Sequence, residues 1–367
     1  MNAKLIAAAL IFMAIASTAN AATCTSIPQY GITWTFDKAY ECGQFANGDY
    51  WVLGPVTILS ITPDFDGSHH GWQSNPMPGY PQGFDSRAST FDPTLVPSLP
   101  YNAKPGESIV KSISIEPLEN ADCRPCLETA AVLTVLAAAP PDNGTTVFRP
   151  PYAGTEKPFY FANQLRTELL PMLQPVANTP TLETIKNNFQ RVQLDHKLSW
   201  SGEYIRPKQN MASYGSGMAI RNAEGALRLM LNDSIEQKMP ALINYVQAGI
   251  DLYGILKNGG SWGSAISGGG GHPHGRKLPI AFAAVLLNNQ EMKDAVHNAG
   301  DNIFGENDGV KYSEKAGTVL YAEIECSELV YWKKHADELG IGPNASGSKT
   351  CKDPEGYIDG GGNPGSS

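Results

Sequence analysis

Positive charge is scarce in this chain of 367 residues. Lys and Arg number 27 against 36 Asp and Glu, which gives a formal net charge of −9. This balance argues against a general nucleic-acid-binding protein, because such proteins carry a basic footprint that neutralises phosphates. We therefore expect no nucleic-acid partner, while a locally basic cleft is still compatible with the composition.

Long hydrophobic runs are missing after the N-terminus. Lys4 precedes an uncharged stretch over residues 5–17, which is shorter than the ~20 apolar residues of a membrane span. Ala19-Asn20-Ala21 then supplies the small-x-small pattern that a signal peptidase recognises. The sequence predicts a signal peptide over residues 1–21. It also predicts a secreted protein, extracellular or periplasmic, that is monomeric and has no membrane contact after cleavage.

A second CxxC motif is also absent, so Cys123-Arg-Pro-Cys126 has no partner with which to complete a zinc site. The six cysteines all follow the predicted cleavage site, and an even number in an exported chain favours disulfides. Six thiols allow 15 pairings. Pairing between sequence neighbours would join Cys24 to Cys42, Cys123 to Cys126 and Cys326 to Cys351, with the second pair serving as a structural clip.

The first part of the chain has the pattern of a β domain, which we place at residues 22–140. Residues 32–36 are all β-branched or aromatic, with large apolar side chains alternating with threonine. Asn47-Gly48 is typical of a tight hairpin turn. Further strands are expected at residues 56–62, 108–115 and 130–138. We expect an antiparallel sheet.

The second part, residues 141–367, has apolar residues at helical spacing. Helices are expected near residues 160–172, 181–195, 215–231, 236–256, 278–288, 290–299 and 317–338. Consecutive helical hairpins predict an (α/α) toroid-like domain, so the fold class is α+β. Because a Gly-rich tail follows at residues 360–367, we expect an open ring or a fragment of a larger toroid.

The densest polar cluster is the Gly-rich loop at residues 268–277, directly before the apolar helix. It brings His272, His274, Arg276 and Lys277 to a helix N-terminus, where the dipole favours anions and basic side chains cost stability. A local rule broken in this way is typical of a functional site. We interpret the loop as recognising an anion through Arg276 and Lys277, with a histidine that acts as a general acid or base. The alternative is a solvated loop without a binding or catalytic role.

Two sharper interpretations of this loop are weaker. A phosphate-binding loop would need Lys and then Ser or Thr after the second glycine, whereas Arg276 and Lys277 follow here. A metal site could use His272 and His274 with His196 or Glu203 as a third ligand, but nothing in the spacing defines that geometry. We expect neither a metal nor another cofactor.

A second polar cluster connects two predicted helices over residues 195–214. Aromatic residues in it could stack on a sugar ring, or could simply pack the loop onto the core. Its histidine could equally be an ordinary surface residue. The candidate site residues here are His196, Trp200, Tyr204, Arg206, Asn210 and Tyr214.

A signal peptide, a β segment and stacked helix pairs with His, Tyr and Arg in the connecting loops resemble the (α/α)-toroid polysaccharide lyases, such as alginate lyases and heparinase-like enzymes. The resemblance covers the helical half of the chain. It implies cleavage of an acidic, uronate-containing polysaccharide by β-elimination, without a cofactor.

The resemblance also implies roles for the residues in these two loops. Arg276 and Arg206 would hold the substrate carboxylate as charge develops, since a guanidinium can bind it with two hydrogen bonds. His272 or His196 would be the base, and Tyr214 or Tyr204 would be the acid. Alternatively, one of these tyrosines would serve as both base and acid in a syn elimination. Trp200, Lys277, His274 and Asn210 would bind the substrate.

Two other functions fit the same residues. A glycoside hydrolase would need two carboxyl groups about 5–9.5 Å apart, for which Glu203, Glu224 and Asp251 are candidates. A noncatalytic carbohydrate-binding protein would need only the aromatic residues. For the lyase, with the 268–277 loop exposed, the sequence predicts that Arg276→Ala removes activity and leaves the melting temperature almost unchanged.

Overall fold

The computed structural model describes residues 22–210, 216–267, 271–300, 302–308, 310–313 and 318–321. The predicted signal peptide, Tyr214, Cys326 and Cys351 lie outside these residues. The strands are β1 (Ala22–Gln29), β2 (Ile32–Gln44), β3 (Tyr50–Leu53), β4 (Val56–Thr62), β5 (Trp72–Ser74), β6 (Tyr101–Ala103), β7 (Ser108–Ser114), β8 (Leu127–Leu136), β9 (Val310–Ser313) and β10 (Thr318–Tyr321).

The helices follow the sheet in the chain. They are α1 (Leu182–Phe189), α2 (Ser216–Leu229), α3 (Ile235–Lys257), α4 (Ser264–Ser267), α5 (Lys277–Leu286), α6 (Gln290–His297) and α7 (Gly305–Asp308). A β region followed by a helical region confirms the α+β class. The toroid remains a prediction. None of the helices among the described residues combines the length and apolar character needed to cross a bilayer.

The predicted antiparallel sheet is a mixed one. Its strand order is β5-β7-β8-β3-β2-β4-β6, with β1 also paired to β2. All of these pairs are antiparallel except β3 with β8, which run parallel. The two strands are far apart in sequence, so no local turn signals their relative direction, and the prediction was wrong for this pair.

The long strand β2 organises the first half of the sheet. Every second residue from Ile32 to Phe36 points into the core, as the sequence pattern indicated, and Ile32, Trp34 and Phe36 are all buried. A tight turn around Asn47-Gly48 connects β2 to β3, with Gly48 at a φ of 87°. Disulfides join Cys24 to Cys42 and Cys123 to Cys126, as predicted, which fits an oxidising compartment.

Strand β8 is the wall between the sheet core and the helical core. Successive side chains of a strand point to opposite faces. Ala131 and Leu133 accordingly belong to the cluster inside the sheet, whereas Ala130 and Val132 belong to the cluster shared with the helices. Its apolar run is thus explained by burial on both faces.

Helix α3 is the centre of the helical region. It begins after Ser234, whose side chain and that of Gln237 form a reciprocal capping box. Most of its length is buried, and it packs against α1, α2 and α5. The long apolar helix places Asp251, near its C-terminal end, in the interior.

The helix expected at residues 181–195 ends at Phe189, and two other predicted helices are not helical where the structure describes them. Residues 160–172 form only short 3₁₀ turns, because their backbone bonds go to other segments: Ala162 N donates to Thr146 O at 2.8 Å and Arg166 N to Leu286 O at 2.8 Å. Residues 318–321 are strand β10, paired with β9, rather than the start of a helix at 317–338.

Candidate functional site

Three segments meet at the candidate site. They are the connecting loop (residues 195–210, between α1 and α2), the basic loop (residues 271–276, before α5) and the cysteine turn (residues 123–126, before β8). Cys126 N donates to Tyr204 O at 2.7 Å, and Lys208 N donates to Leu127 O at 3.0 Å. These backbone bonds attach the connecting loop to the sheet.

Asp195 joins the connecting loop to the basic loop. Its carboxylate accepts from Nε of Arg276 at 2.8 Å and from Nη2 of the same residue at 3.2 Å, and it forms an ion pair with Arg206. All three side chains are buried. Burial lowers the pKa of Arg276 to about 10, and burial together with the charge of Arg276 lowers the pKa of Arg206 well below its ordinary value. The adjacent Asp195 carboxylate favours the charged form of both guanidinium groups. One carboxylate thus holds two buried cations.

Arg276 also secures the backbone of its own loop. Its Nη1 donates to the carbonyl oxygens of His272 and His274, at 2.5 and 2.7 Å. Only 5% of Arg276 is exposed. The expectation of an exposed side chain is thereby corrected, because the guanidinium is consumed by Asp195 and by two carbonyl groups. We now expect Arg276→Ala to lower stability as well.

The predicted anion site at the N-terminus of α5 is filled by a carboxylate of the protein. Glu306 Oε1 accepts from Gly275 N at 2.7 Å and from Lys277 N at 3.3 Å. Lys277 Nζ donates to Asn307 Oδ1. The favourable interaction of an anion with the helix N-terminus is therefore present within the chain itself.

His196 is enclosed in the interior, with 1% of its surface exposed. Its Nδ1 lies 3.1 Å from the hydroxyl of Tyr152, and its ring packs edge-on against Phe84 and Tyr152. Burial, followed by the charge of Lys197, lowers the pKa of His196 to about 3. A polysaccharide cannot reach this imidazole without a rearrangement, which leaves His272 as the accessible one of the two proposed bases.

The buried imidazole predicts a pH dependence of stability. The unfolded chain binds a proton on His196 below the ordinary pKa of 6.5, whereas the folded chain does so only near pH 3. The free energy of unfolding therefore falls as the pH drops through this window, by up to about 1.4 kcal/mol per pH unit from this residue. Denaturant titrations from pH 6.5 to 4.5 should show a loss roughly 2 kcal/mol larger for the wild type than for His196→Asn. Parallel pH curves for the two proteins would contradict the assignment.

The exposed part of the site is an aromatic platform, formed by Trp200, Tyr204 and His272. The Trp200 ring centroid lies 5.9 Å from that of Tyr204 and 6.1 Å from that of His272. Trp200 is 45% exposed, on a 3₁₀ turn that begins after Ser199 at a φ of 84°. Gly202 allows this tight turn, since a Cβ there would lie 2.6 Å from Lys197 O.

Arg124 of the cysteine turn lies over this platform. Its guanidinium carbon is 5.6 Å from the Trp200 centroid and 5.7 Å from the Tyr204 centroid, within range of cation–π attraction. It forms an ion pair with the buried carboxylate of Glu203, and a third of its side chain is exposed, 34%. A partly exposed cation thus lies over the Trp200 and Tyr204 rings.

His272 is half-buried at the other edge of the platform. Burial, and then the charges of Arg124, Arg276 and Arg206, lowers the pKa of His272 below its ordinary 6.5. The imidazole is consequently neutral at physiological pH and can accept a proton. His274 is also half-buried, two residues away.

The other predicted substrate-binding residue of the connecting loop is internal. Asn210 is buried, and its Nδ2 donates to Arg191 O at 2.5 Å. Its role in the structure is to hold the two ends of the loop together. Tyr214, the predicted acid, lies outside the described residues, so only Tyr204 of the two proposed acids can be placed.

The carboxylates proposed for glycoside hydrolysis do not face the platform as a pair. Asp251 is buried and binds both terminal nitrogens of Arg149, at 3.0 and 2.5 Å. Glu203 is committed to Arg124, and Glu224 is exposed on α2. No observation therefore favours a hydrolase over a lyase.

A metal site at the two loop histidines gains no support. Among the described residues, only Asp85, Cys123 and Cys126 place three potential ligand atoms within 4.8 Å of one another. The two sulfurs are joined in a disulfide, and Asp85 forms an ion pair with Arg87 at 2.8 Å. These three residues are structural in the oxidised protein.

Sequence reasoning missed the roles of Arg124, Glu306 and Asp195. Arg124 stands between two cysteines interpreted as a clip, and nothing local indicates that it contacts residues 76 or more positions later. Asp195 directly precedes His196 and could have been weighed as a counter-charge for Arg206. Glu306 carries no sequence signal that links it to α5.

Comparison with known proteins adds no relative, since no family model, no curated protein and no solved structure matches this chain.

Proposed function

We propose that this protein binds an acidic polysaccharide on the aromatic platform and cleaves it by β-elimination. The observation that carries the proposal is the meeting of three distant segments at one exposed surface. There, Trp200, Tyr204 and a neutral His272 lie side by side, next to a guanidinium. The two disulfides are compatible with the secretion that such a substrate requires.

Binding on this surface would combine two attractions. The exposed ring of Trp200 offers a flat apolar face for a sugar ring, and aromatic residues supply large contact areas at low entropic cost. The nearby positive charge favours a sugar that carries a carboxylate. A neutral sugar would gain only the first of these two interactions.

The reaction would use His272 as the base. The imidazole takes the proton from the carbon that bears the substrate carboxylate, and the released electron pair forms a carbon–carbon double bond. The bond from the next carbon to the glycosidic oxygen breaks, and the Tyr204 hydroxyl donates a proton to that oxygen. The products are an unsaturated uronate and a new chain end, so no oxidant, metal or water is consumed.

The test is an ultraviolet assay with the full chain. Alginate, glucuronan and chondroitin are each incubated with the protein, and the absorbance of unsaturated uronates is followed. A rise with at least one polymer is expected. A folded protein that produces no rise with any of them would contradict the proposed reaction.

The aromatic contact makes a separate prediction. Trp200→Ala should weaken binding to the responsive polymer by about 2 kcal/mol, a roughly 30-fold change in Kd, because a central Trp dominates such contacts. Isothermal titration measures this, and Leu59→Ala provides a control, since Leu59 is a comparably exposed apolar residue, at 44%, on strand β4. Equal losses for both variants would exclude a specific role for Trp200.

A noncatalytic carbohydrate-binding protein is the second candidate. It is favoured by the burial of Arg206 and Arg276 and their pairing with Asp195, because the resemblance assigned charge stabilisation to these two cations. Such a protein would bind the polymer on the same platform, and the ultraviolet signal would be absent.

A further inference from the structure

We infer that Arg124, held over the platform by the Cys123–Cys126 turn, is the residue that recognises the carboxylate of the sugar and makes the site selective for uronates. The inference rests on the proposed function and adds a specificity-determining residue to it. It gives Arg124 the contact that the sequence had assigned to Arg206 and Arg276.

The position of Arg124 is set by the structure around it. The disulfide closes a four-residue turn, and Cys126 N donates to Tyr204 O at 2.7 Å, which links the turn to the platform. On the other side, Nη2 of Arg87 donates to Cys126 O at 3.2 Å. A turn bonded on both sides restricts where the guanidinium can lie, and such preorganisation reduces the entropic cost of binding.

The guanidinium has donors left for a ligand. Arginine carries five N–H donors in a planar fork. Within the described part of the chain, Glu203 forms an ion pair with Nη2 of Arg124, while Nε of Arg124 is buried without a hydrogen-bond partner. Glu203 is 2% exposed and lies on the buried side, whereas 34% of the Arg124 side chain faces solvent. The inference takes Nη1, the other terminal nitrogen, as the donor that meets a carboxylate from the solvent side.

The surroundings explain why this cation should select a charged sugar. A sugar in contact with Trp200 would bind next to the guanidinium, whose carbon lies 5.6 Å from the centroid of that ring. Arg206 and Arg276 are already neutralised in part by Asp195 and are buried. Among the three guanidinium groups near His272, Arg124 is the one that reaches solvent.

The same arrangement links Arg124 to the proposed base. Its charge is the largest charge effect among those that hold the pKa of His272 below the ordinary value, after burial. Removal of this charge should raise the pKa of His272 and shift the acid limb of the kcat/KM profile to higher pH. A residue with only a structural role would not produce this shift.

The experiment compares polymers with and without carboxylates. Alginate, glucuronan and chondroitin are titrated in native and carboxyl-reduced form against wild type and Arg124→Ala. We expect Arg124→Ala to weaken binding of the native polymer about tenfold and to leave the reduced polymer within about twofold. Lys208→Ala is the matched control: it also removes an exposed cation, paired with Glu128 on β8, and should change neither affinity by more than about twofold.

A second pair of variants protects the test against misfolding. Arg124→Ala leaves the buried Glu203 without its cation, so the comparison is repeated in Glu203→Gln, where that carboxylate is neutral. The tenfold loss should appear between Glu203→Gln and the double variant. Suppose that wild type binds a native polymer, and that the double variant Arg124→Ala with Glu203→Gln prefers the native over the reduced polymer as strongly as Glu203→Gln alone does. The inference about Arg124 is then wrong, while the proposed function stands. If wild type binds no native polymer, both fail.

Discussion

Asp195→Asn is expected to lower the free energy of unfolding by about 3–5 kcal/mol. The substitution keeps the volume of the side chain and removes its charge. Arg206 and Arg276 would then both lose the carboxylate with which they pair, and removal of one partner from a buried ion pair costs several kcal/mol. Guanidinium chloride titrations followed by tryptophan fluorescence measure the loss.

The control for this prediction is another carboxylate that pairs with a cation. Glu183→Gln removes an exposed ion pair with Lys186, with an N–O distance of 3.2 Å, and should cost no more than about 0.5 kcal/mol. Adding Arg276→Met to Asp195→Asn should recover part of the loss, because one uncompensated charge is gone. An Asp195→Asn protein within about 1 kcal/mol of wild type would show that the two arginines do not depend on Asp195.

His272→Ala is expected to lower kcat by about 10²–10⁴-fold, the contribution usual for a positioned general base. The residue is half-buried in a loop, so its removal should change the free energy of unfolding far less than Asp195→Asn does. Because the folded pKa of His272 lies below 6.5, wild-type kcat/KM should also persist below pH 6.5 before it declines.

The matched control is His297→Gln. His297 is exposed at the end of α6, outside the platform, and its substitution should leave kcat within about twofold. Turnover by His272→Ala at the wild-type rate would remove His272 from the mechanism. The base would then have to be sought elsewhere in the chain.

Local sequence patterns predicted strands β2, β3, β4, β7 and β8 and helices α1, α2, α3, α5 and α6, but not strands β1, β5 and β6. The alternation over Ile32–Phe36, the Asn47-Gly48 turn and the capped start of α3 at Ser234 all depend on neighbouring residues, and all appear in the structure. The parallel pairing of β3 with β8 depends on residues some 80 positions apart, such as Tyr50 and Leu133. No local pattern carries that information.

The candidate site was predicted in part for the same reason. Composition identified both loops, since polar and aromatic residues were concentrated there, and the two loops do meet. The partners of the charges could not be predicted. The Asp195–Arg276 pair spans 81 positions and the Arg124–Glu203 pair 79, so the sequence indicated free cations where the structure has ion pairs. Burial decides whether a cation faces a ligand or an internal carboxylate.

The mass of the products tests the central claim most directly. Elimination releases fragments whose masses sum to that of the parent chain, whereas hydrolysis adds one water for each bond broken. With the polymer that responds in the ultraviolet assay, mass spectrometry should detect fragments one water lighter than hydrolysis products at the newly formed end. Fragments of hydrolytic mass, or an intact polymer after prolonged incubation with folded protein, would contradict the lyase reaction at this platform.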